Sequence, residues 1–243
     1  MNSPKQLARI AGGLYLLVGL FGGFAQAFVY PKIYVAGDAA ATAGNVIANS
    51  DLVRSGVVAD MFQAAVWVFV ALTLYGLLKH VNKGVASAMV ILAAMGAGIT
   101  CLNAVFEFEA LRVATGAVNL SGFGSAGAQA LVLLLVDAHH YGLLAVQIFS
   151  GLWLAPMGYL AFKSGWFSKA LSVVLVAASV SYLIDLLAAL LVPAVSAPIH
   201  GFLSLPPAIA EPWMVGYLLV VGVRTVKPVK RIRAAMALPG AQA

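Results

Sequence analysis

The chain has 243 residues, of which 63% are hydrophobic and only 9% charged, and its formal net charge is +6 at pH 7. A soluble domain of this size needs more polar side chains to cover its surface, so the composition excludes a soluble globular protein. The positive charge does not indicate nucleic-acid binding, because Lys and Arg stand at the ends of apolar segments. We therefore expect one transmembrane domain over residues 1–243, with the lipid bilayer as a partner and no nucleic acid.

Six apolar segments are long enough to cross the bilayer, since a helix needs about 20 residues to span about 30 Å of hydrocarbon. The sequence thus predicts an all-α, polytopic membrane helix bundle. A further apolar stretch near 126–137 is too short to span, and we expect it to lie at the outer interface or to re-enter between helices. The six predicted helices lie near 8–30, 53–78, 84–112, 139–163, 168–192 and 205–225.

Glycines indicate where helices approach one another closely. Gly19 and Gly23 have GxxxG spacing in the first helix, and Gly96 and Gly98 lie in the third. In lipid, close backbone approach supplies much of the attraction between helices. These glycines therefore predict two tight packing positions.

The distribution of basic residues predicts the orientation. With the N-terminus in the cytoplasm, eleven Lys and Arg residues lie on the cytoplasmic side, and three (Lys32, Arg54 and Arg112) lie on the other. Cytoplasmic loops carry the excess of Lys and Arg, so we expect both termini in the cytoplasm and the protein in the inner (cytoplasmic) membrane. The run from Lys227 to Arg233 is expected to act as a topology signal that contacts anionic lipids.

The acidic residues are distributed in the opposite way. On the predicted topology, all eight lie on the outer side or in the outer half of the membrane. A charged Asp at the centre of a membrane helix costs on the order of 3 kcal/mol, so such residues face the bundle interior and have a partner or a function. Helical spacing extends them into polar stripes. The stripes are Asp60, Gln63 and Trp67; Thr100, Asn103 and Glu107; His140 and Gln147; and Ser181, Tyr182 and Asp185.

We expect these stripes to converge on a hydrophilic pocket that opens to the outer side. Carboxylates and imidazoles in such a pocket can fix a polar ligand, with Arg54 and Arg112 as cationic partners at the same level. The predicted ligand-binding residues are Arg54, Asp60, Asn103, Glu107, His140, Asp185 and Glu211.

Several motifs carry a family resemblance. They are HHYGLLAVQIFSGLWLAPMGYLAFKSG (139–165), SYLIDLL (181–187), Pro193, AIAE (208–211), ARIAGGLYL (8–16), GDAAATAGNVIA (37–48) and VRSGVVADM (53–61). In these motifs the chain resembles the bacterial membrane family catalogued as domain of unknown function 4386, over nearly its whole length. The resemblance picks out Arg54, Asp60, Asn103, His140, Asp185 and Glu211 and implies no established activity. The chain departs from the family pattern at Ser168-Lys169, where a Pro-Arg pair is usual.

Four functions are compatible with these features. We favour an outward-facing site that binds a small molecule or a lipid head group. One alternative is a metal-dependent membrane hydrolase, with His140, Asp185 and Glu211 as candidate zinc ligands. The others are a proton-coupled transporter, in which carboxylates beside a histidine form a proton relay, and a polar network that only holds helices together.

Overall fold

In the computed structural model, which describes residues 3–224, every regular element is helical, as predicted. Several of the helices begin at a side-chain cap, because the first backbone N–H groups of a helix have no partner within it. Asp38 and Asn82, for example, each accept a hydrogen bond from a backbone N–H three residues later. The elements in chain order are α1 (Pro4–Gly22), a π-helical segment (Gly23–Val29), α2 (Tyr30–Ile33), α3 (Ala39–Ala48), α4 (Ser50–Leu78), α5 (Lys83–Ala114), a 3₁₀ turn (Ser121–Phe123), α6 (Gly124–Ser164), α7 (Lys169–Leu191), α8 (Pro193–Leu203) and α9 (Leu205–Val220).

Six helical segments are long and apolar enough to cross a membrane, which confirms the predicted multi-pass bundle. The start of α1 and the end of α9 lie at the same end of the bundle, where Gly222 packs against Lys5 and the backbone N–H of Arg224 donates to the Trp166 carbonyl. We call this the terminal end and the opposite one the distal end. The spanning segments are Pro4–Ile33, Ser50–Leu78, Lys83–Ala114, Ser121–Ser164, Lys169–Leu191 and Pro198–Val220.

The spanning helices form a closed ring in the order α1, α4, α5, α6, α7, α9, with α9 packed against α1. Direct packing across the ring is slight, and among these six helices it is confined to α4 and α6. Near the terminal end, buried apolar side chains such as Leu74, Met89 and Leu171 fill the interior. Large apolar side chains cover the outer surface, as a lipid-facing surface requires; they include Leu20, Phe69, Ile91, Leu102 and Val173.

Small residues allow a close approach between α6 and α7. A methyl group on Gly158 would lie 2.9 Å from the Ser172 carbonyl oxygen, and one on Gly151 would lie 3.2 Å from that of Ser179. The glycines predicted from the sequence differ in how closely they are packed. A methyl group on Gly19, Gly23 or Gly98 would meet nothing within 4 Å, whereas one on Gly96 would meet Trp67. Close packing thus occurs at Gly96 but not at the GxxxG motif of α1.

The stretch near 126–137 differs from the expectation, because it is the first part of the 41-residue helix α6. The polar residues at its end do not stop the helix. The Asp137 side chain accepts a hydrogen bond from Tyr34, and the His139 ring lies 3.3 Å from the Asn103 backbone oxygen. At 1.5 Å per residue, α6 is roughly 60 Å long and exceeds the hydrocarbon thickness. Its distal part packs with α3 and the end of α5 in a second apolar cluster, which includes Val46, Leu111, Val132 and Val136.

The other predicted helices agree with the structure to within a few residues at most ends, although α9 ends at Val220 and not near 225. The chain before α9 is also helical, as α8, and Pro206 and Pro207 follow the junction at Ser204. Proline lacks the backbone N–H that would continue the helix ladder, which explains the break between α8 and α9. The basic run from Lys227 to Arg233 lies outside the described residues.

The predicted orientation can be tested by cysteine labelling from the two sides of the membrane. In a Cys101→Ala background, we expect Ala117→Cys, at the exposed distal end, to react with a membrane-impermeant maleimide added to intact spheroplasts. Gly84→Cys, exposed near the terminal end, should react only after the membrane is permeabilised. The reverse labelling pattern would contradict the orientation inferred from the basic residues.

Candidate functional site

A cavity of about 540 Å³ lies inside the ring. Residues of α1, the π-helical segment, α4, α6, α7, α8 and α9 line it, whereas α5 contributes none. Its charged or titratable side chains are Asp185, Glu211, His140, His200 and two tyrosines. Within residues 3–224, no Lys or Arg lines the cavity. The cavity therefore has an excess of acidic groups.

Three aromatic side chains form the floor of the cavity. The rings of Trp67 and Trp153 meet edge-on with centroids 5.6 Å apart, and those of Tyr15 and Trp153 with centroids 5.5 Å apart. Each of the three residues is eleven positions from the terminal end of its helix, or roughly 16 Å at 1.5 Å per residue. This depth is about the middle of the bilayer, so the cavity occupies the distal half of the ring.

Glu211 is the carboxylate nearest this floor. Its Oε2 accepts a hydrogen bond of 2.9 Å from the Tyr15 hydroxyl, and its Oε1 accepts one of 2.8 Å from the Tyr182 hydroxyl. Both oxygens act as acceptors, an arrangement that suits the ionised form. These bonds join α9 to α1 and α7, so Glu211 also helps to close the ring.

Asp185 lies further toward the distal end and is paired differently. Its Oδ2 accepts a 2.9 Å hydrogen bond from Gln147 Nε2, and His200 Nδ1 lies 3.0 Å from both of its oxygens. The Asp185 side chain is 8% exposed, whereas that of His200 is 64% exposed. His200 therefore stands at a mouth of the cavity.

His140 lies in a stack of aromatic rings at the cavity wall. Its ring is 5.8 Å from that of Tyr30 and 5.5 Å from that of Tyr34, at small interplanar angles. The Tyr34 hydroxyl donates a 2.7 Å hydrogen bond to Asp137. Burial, together with this bond, raises the pKa of Tyr34 to about 12, so the hydroxyl remains a donor at neutral pH. The stack fixes one face of the His140 ring.

A second group of polar side chains lies beside the cavity, between α4, α5 and α6. Asp60, Glu107 and His139 are 1%, 3% and 2% exposed, and one ligand atom from each lies within 4.8 Å of the others. We call them the buried cluster. Asp60 is seven residues distal to Trp67 on α4, or roughly 10 Å above the floor. Two ionised carboxylates this close repel each other by about 3 to 4 kcal/mol in a partly buried environment.

Asn103 holds the histidine of this cluster in place. Its side-chain Nδ2 donates to the His139 backbone carbonyl at 2.9 Å. The backbone oxygen of Asn103 lies 3.3 Å from His139 Nδ1. The Asn103 side chain occupies the space where a side chain at Gly142 would lie. A proton on Nδ1, donated to that carbonyl, leaves Nε2 with a free lone pair.

The predicted site residues thus divide between two places. His140, Asp185 and Glu211 line the cavity, whereas Asp60 and Glu107 belong to the buried cluster and Asn103 supports it. Arg54 belongs to neither the cavity nor the buried cluster. It is exposed and lies about 120° around α4 from Asp60. Of the zinc ligands proposed from the sequence, none belongs to the buried cluster.

His139, His200 and Tyr15 contribute to the buried cluster or the cavity but were not among the predicted site residues. His139 follows Val132 and Val136 at the spacing of one helix face, and this buried stripe was a signal that could have identified it. His200 and Tyr15 offered no comparable signal. Each reaches its carboxylate from another helix, and pairing between helices is not encoded in local spacing.

A closed ring of spanning helices with a polar cavity inside defines a polytopic membrane protein. Residues 10–222 match the family model described as domain of unknown function (DUF4386), and the chain belongs to this family. The resemblance seen in the motifs is thereby confirmed. Comparisons with curated proteins and with solved structures find no match.

The aromatic floor depends on the glycine beneath it. A methyl group on Gly96 would lie 2.5 Å from the Trp67 ring, whereas one on Gly98 would meet nothing within 4 Å. We therefore expect Gly96→Ala to destabilise the protein by about 1 to 3 kcal/mol through overpacking. Gly98→Ala is the control for the change in helix propensity on the same helix. The check is the melting temperature of the purified variants, and equal values for the two would show that Trp67 does not need this space.

Proposed function

We propose that this membrane protein binds a small organic cation in the cavity, either a free amine or the amine head group of a lipid. The observation that carries the proposal is Glu211, held by two tyrosine hydroxyls beside an aromatic floor in a cavity lined, within the described chain, by no Lys or Arg. The cavity has the volume usual for a small-molecule site.

Charge favours a cationic ligand. Asp185 has a partner in His200, which carries a positive charge when it is protonated. Glu211 has only neutral donors, so its negative charge is not balanced by another side chain in residues 3–224. A ligand with one positive charge would balance it in surroundings that screen poorly.

The lining matches the other parts of such a ligand. Trp67, Trp153 and Tyr15 can receive an ammonium group over a ring face, an interaction of about 0.5 to 2 kcal/mol. Leu143, Leu144 and Leu203 offer apolar surface for alkyl chains. Both a hydrophobic amine and a lipid amine share this chemistry.

The sidedness of the cavity follows from the proposed orientation. If the terminal end faces the cytoplasm of a cell whose inner membrane holds the protein, the cavity opens on the outer side, through the mouth at His200. The ligand would then enter from the outer leaflet or the outer aqueous phase.

The alternative functions have less support. Proton-coupled transport needs polar groups on both sides of the floor, and apolar side chains such as Leu74, Leu160 and Met214 pack the core on the terminal side. Hydrolysis by a metal on His140, Asp185 and Glu211 competes with the existing partners of the two carboxylates. A purely structural network accounts for the hydrogen bonds of Glu211 but not for the cavity above the floor.

Ligand binding can be measured by the fluorescence of the tryptophans in the floor. We expect benzyltrimethylammonium to change the emission of the purified protein saturably, and the anion phenylmethanesulfonate not to do so. Glu211→Gln keeps the shape but removes the charge, so it should weaken binding at least tenfold, about 1.4 kcal/mol. Glu109→Gln changes a partly exposed residue that is paired with Arg112; it is the matched control and should bind normally.

A second experiment, with lipids, distinguishes a lipid head group from a free amine as the ligand. In nanodiscs of phosphatidylethanolamine or phosphatidylglycerol, native mass spectrometry should show retained phosphatidylethanolamine that is lost in Glu211→Gln if the ligand is a lipid. Binding of the free amine alone would identify a soluble ligand. If neither binds and Glu211→Gln only lowers the melting temperature, the structural reading is correct and the proposal fails.

A further inference from the structure

The buried cluster has the chemistry of a metal site. Asp60, Glu107 and His139 come from α4, α5 and α6, and their ligand atoms converge within 4.8 Å. Asp60 Oδ1 is buried and has no hydrogen-bond partner. The Tyr30 hydroxyl is also buried without a partner, and its ring lies 5.7 Å from that of His139. Asp60 as a whole is only 1% exposed, so water does not compensate this oxygen and a cation beside it would.

We propose that Asp60, Glu107 and His139 bind a divalent transition-metal ion, with Zn²⁺ as the first probe. Two carboxylates and one imidazole are three protein ligands of the kinds that zinc uses, and three ligands leave one tetrahedral position open. The imidazole favours zinc or iron over Mg²⁺ and Ca²⁺, which prefer oxygen ligands alone.

The balance of charge supports a dication at this position. The two ion pairs found within residues 3–224 are Arg112 with Glu109 and His200 with Asp185, so neither Asp60 nor Glu107 has a basic partner there. A divalent ion balances both carboxylates and leaves the site neutral. Gln26, beside Asp60 in the π-helical segment, adds only a neutral amide.

The surroundings of His139 match those of a metal-bound histidine. In metal sites the second ring nitrogen usually donates to a carbonyl or a carboxylate, which fixes the tautomer and the ring plane. Here His139 Nδ1 lies 3.3 Å from the Asn103 backbone oxygen, and the Asn103 amide donates to the His139 backbone. Asn103 is thus a positioning residue for the ligand.

This site is separate from the cation-binding cavity and does not depend on the function proposed for it. None of the three ligands lines the cavity, and none of the cavity carboxylates belongs to the cluster. The two proposals can therefore fail independently.

The experiment uses the full chain, purified in detergent and treated with a chelator. Zn²⁺ is titrated by calorimetry, and Co²⁺ by its visible absorption. We expect one equivalent of metal per chain, a higher melting temperature in its presence, and a Co²⁺ spectrum of low coordination number with nitrogen and oxygen ligands. Glu107→Gln and His139→Gln should each weaken binding at least 100-fold.

The chain offers a matched control for each variant. Glu109→Gln lies two residues from Glu107, and His80→Gln changes a histidine whose ring lies against Trp166 near the terminal end; both positions are outside the cluster. Both controls should retain one equivalent of metal. Loss of metal in His80→Gln, or its retention in Glu107→Gln, would overturn the ligand set. If the ligand variants do not fold, the test rests on the wild-type protein. If Zn²⁺ does not raise its melting temperature and Co²⁺ gives no such spectrum, the proposed metal site is wrong.

Discussion

Burial of carboxylates among apolar helices is the constraint on which this structure depends. Hydrocarbon supplies no water, so a neighbouring helix must supply each compensating group. Glu211 on α9 takes hydroxyls from α1 and α7, and Asp185 on α7 takes donors from α6 and α8. The acids thereby specify which helices become neighbours. The last junction of the ring, between α9 and α1, includes the bond between Tyr15 and Glu211.

The interior of the ring is packed differently in its two halves. In the terminal half, small residues allow close approach and apolar side chains fill the interior, as between α6 and α7 at Gly158. In the distal half, bulky aromatics and polar groups keep the helices apart and leave a cavity. The layer formed by Trp67, Trp153 and Tyr15 separates the two. A polar interior on one side of this layer and an apolar one on the other fits a binding site better than a conduit.

The sequence predicted those features that each segment determines by itself. Hydropathy identified the six helices, because every segment must meet the requirements of the bilayer alone, and spacing identified inward faces, since Asp60, Asn103, Glu107 and Asp185 are all buried. The sequence did not show which polar stripes of different helices lie next to one another. The structure separates Asp60 from Asp185, puts His139 in place of His140 beside Asp60, and leaves Arg54 outside. The stretch near 126–137 is too short to span the bilayer by itself, and only the structure shows that the helix continues through the polar residues after it.

A role confined to holding helices together does not account for these groups. Polar contacts between membrane helices contribute only about 0.6 kcal/mol on average, so a structural network gains most when every donor and acceptor is paired. Here the Tyr hydroxyls complete the hydrogen bonds of Glu211 but leave its charge unbalanced, and Asp60 keeps an oxygen without any partner. The unpaired oxygen lies among three potential metal ligands, and the unbalanced charge faces a cavity with aromatic walls. Both features call for positive charge, which the proposed dication would supply at one place and the proposed organic cation at the other.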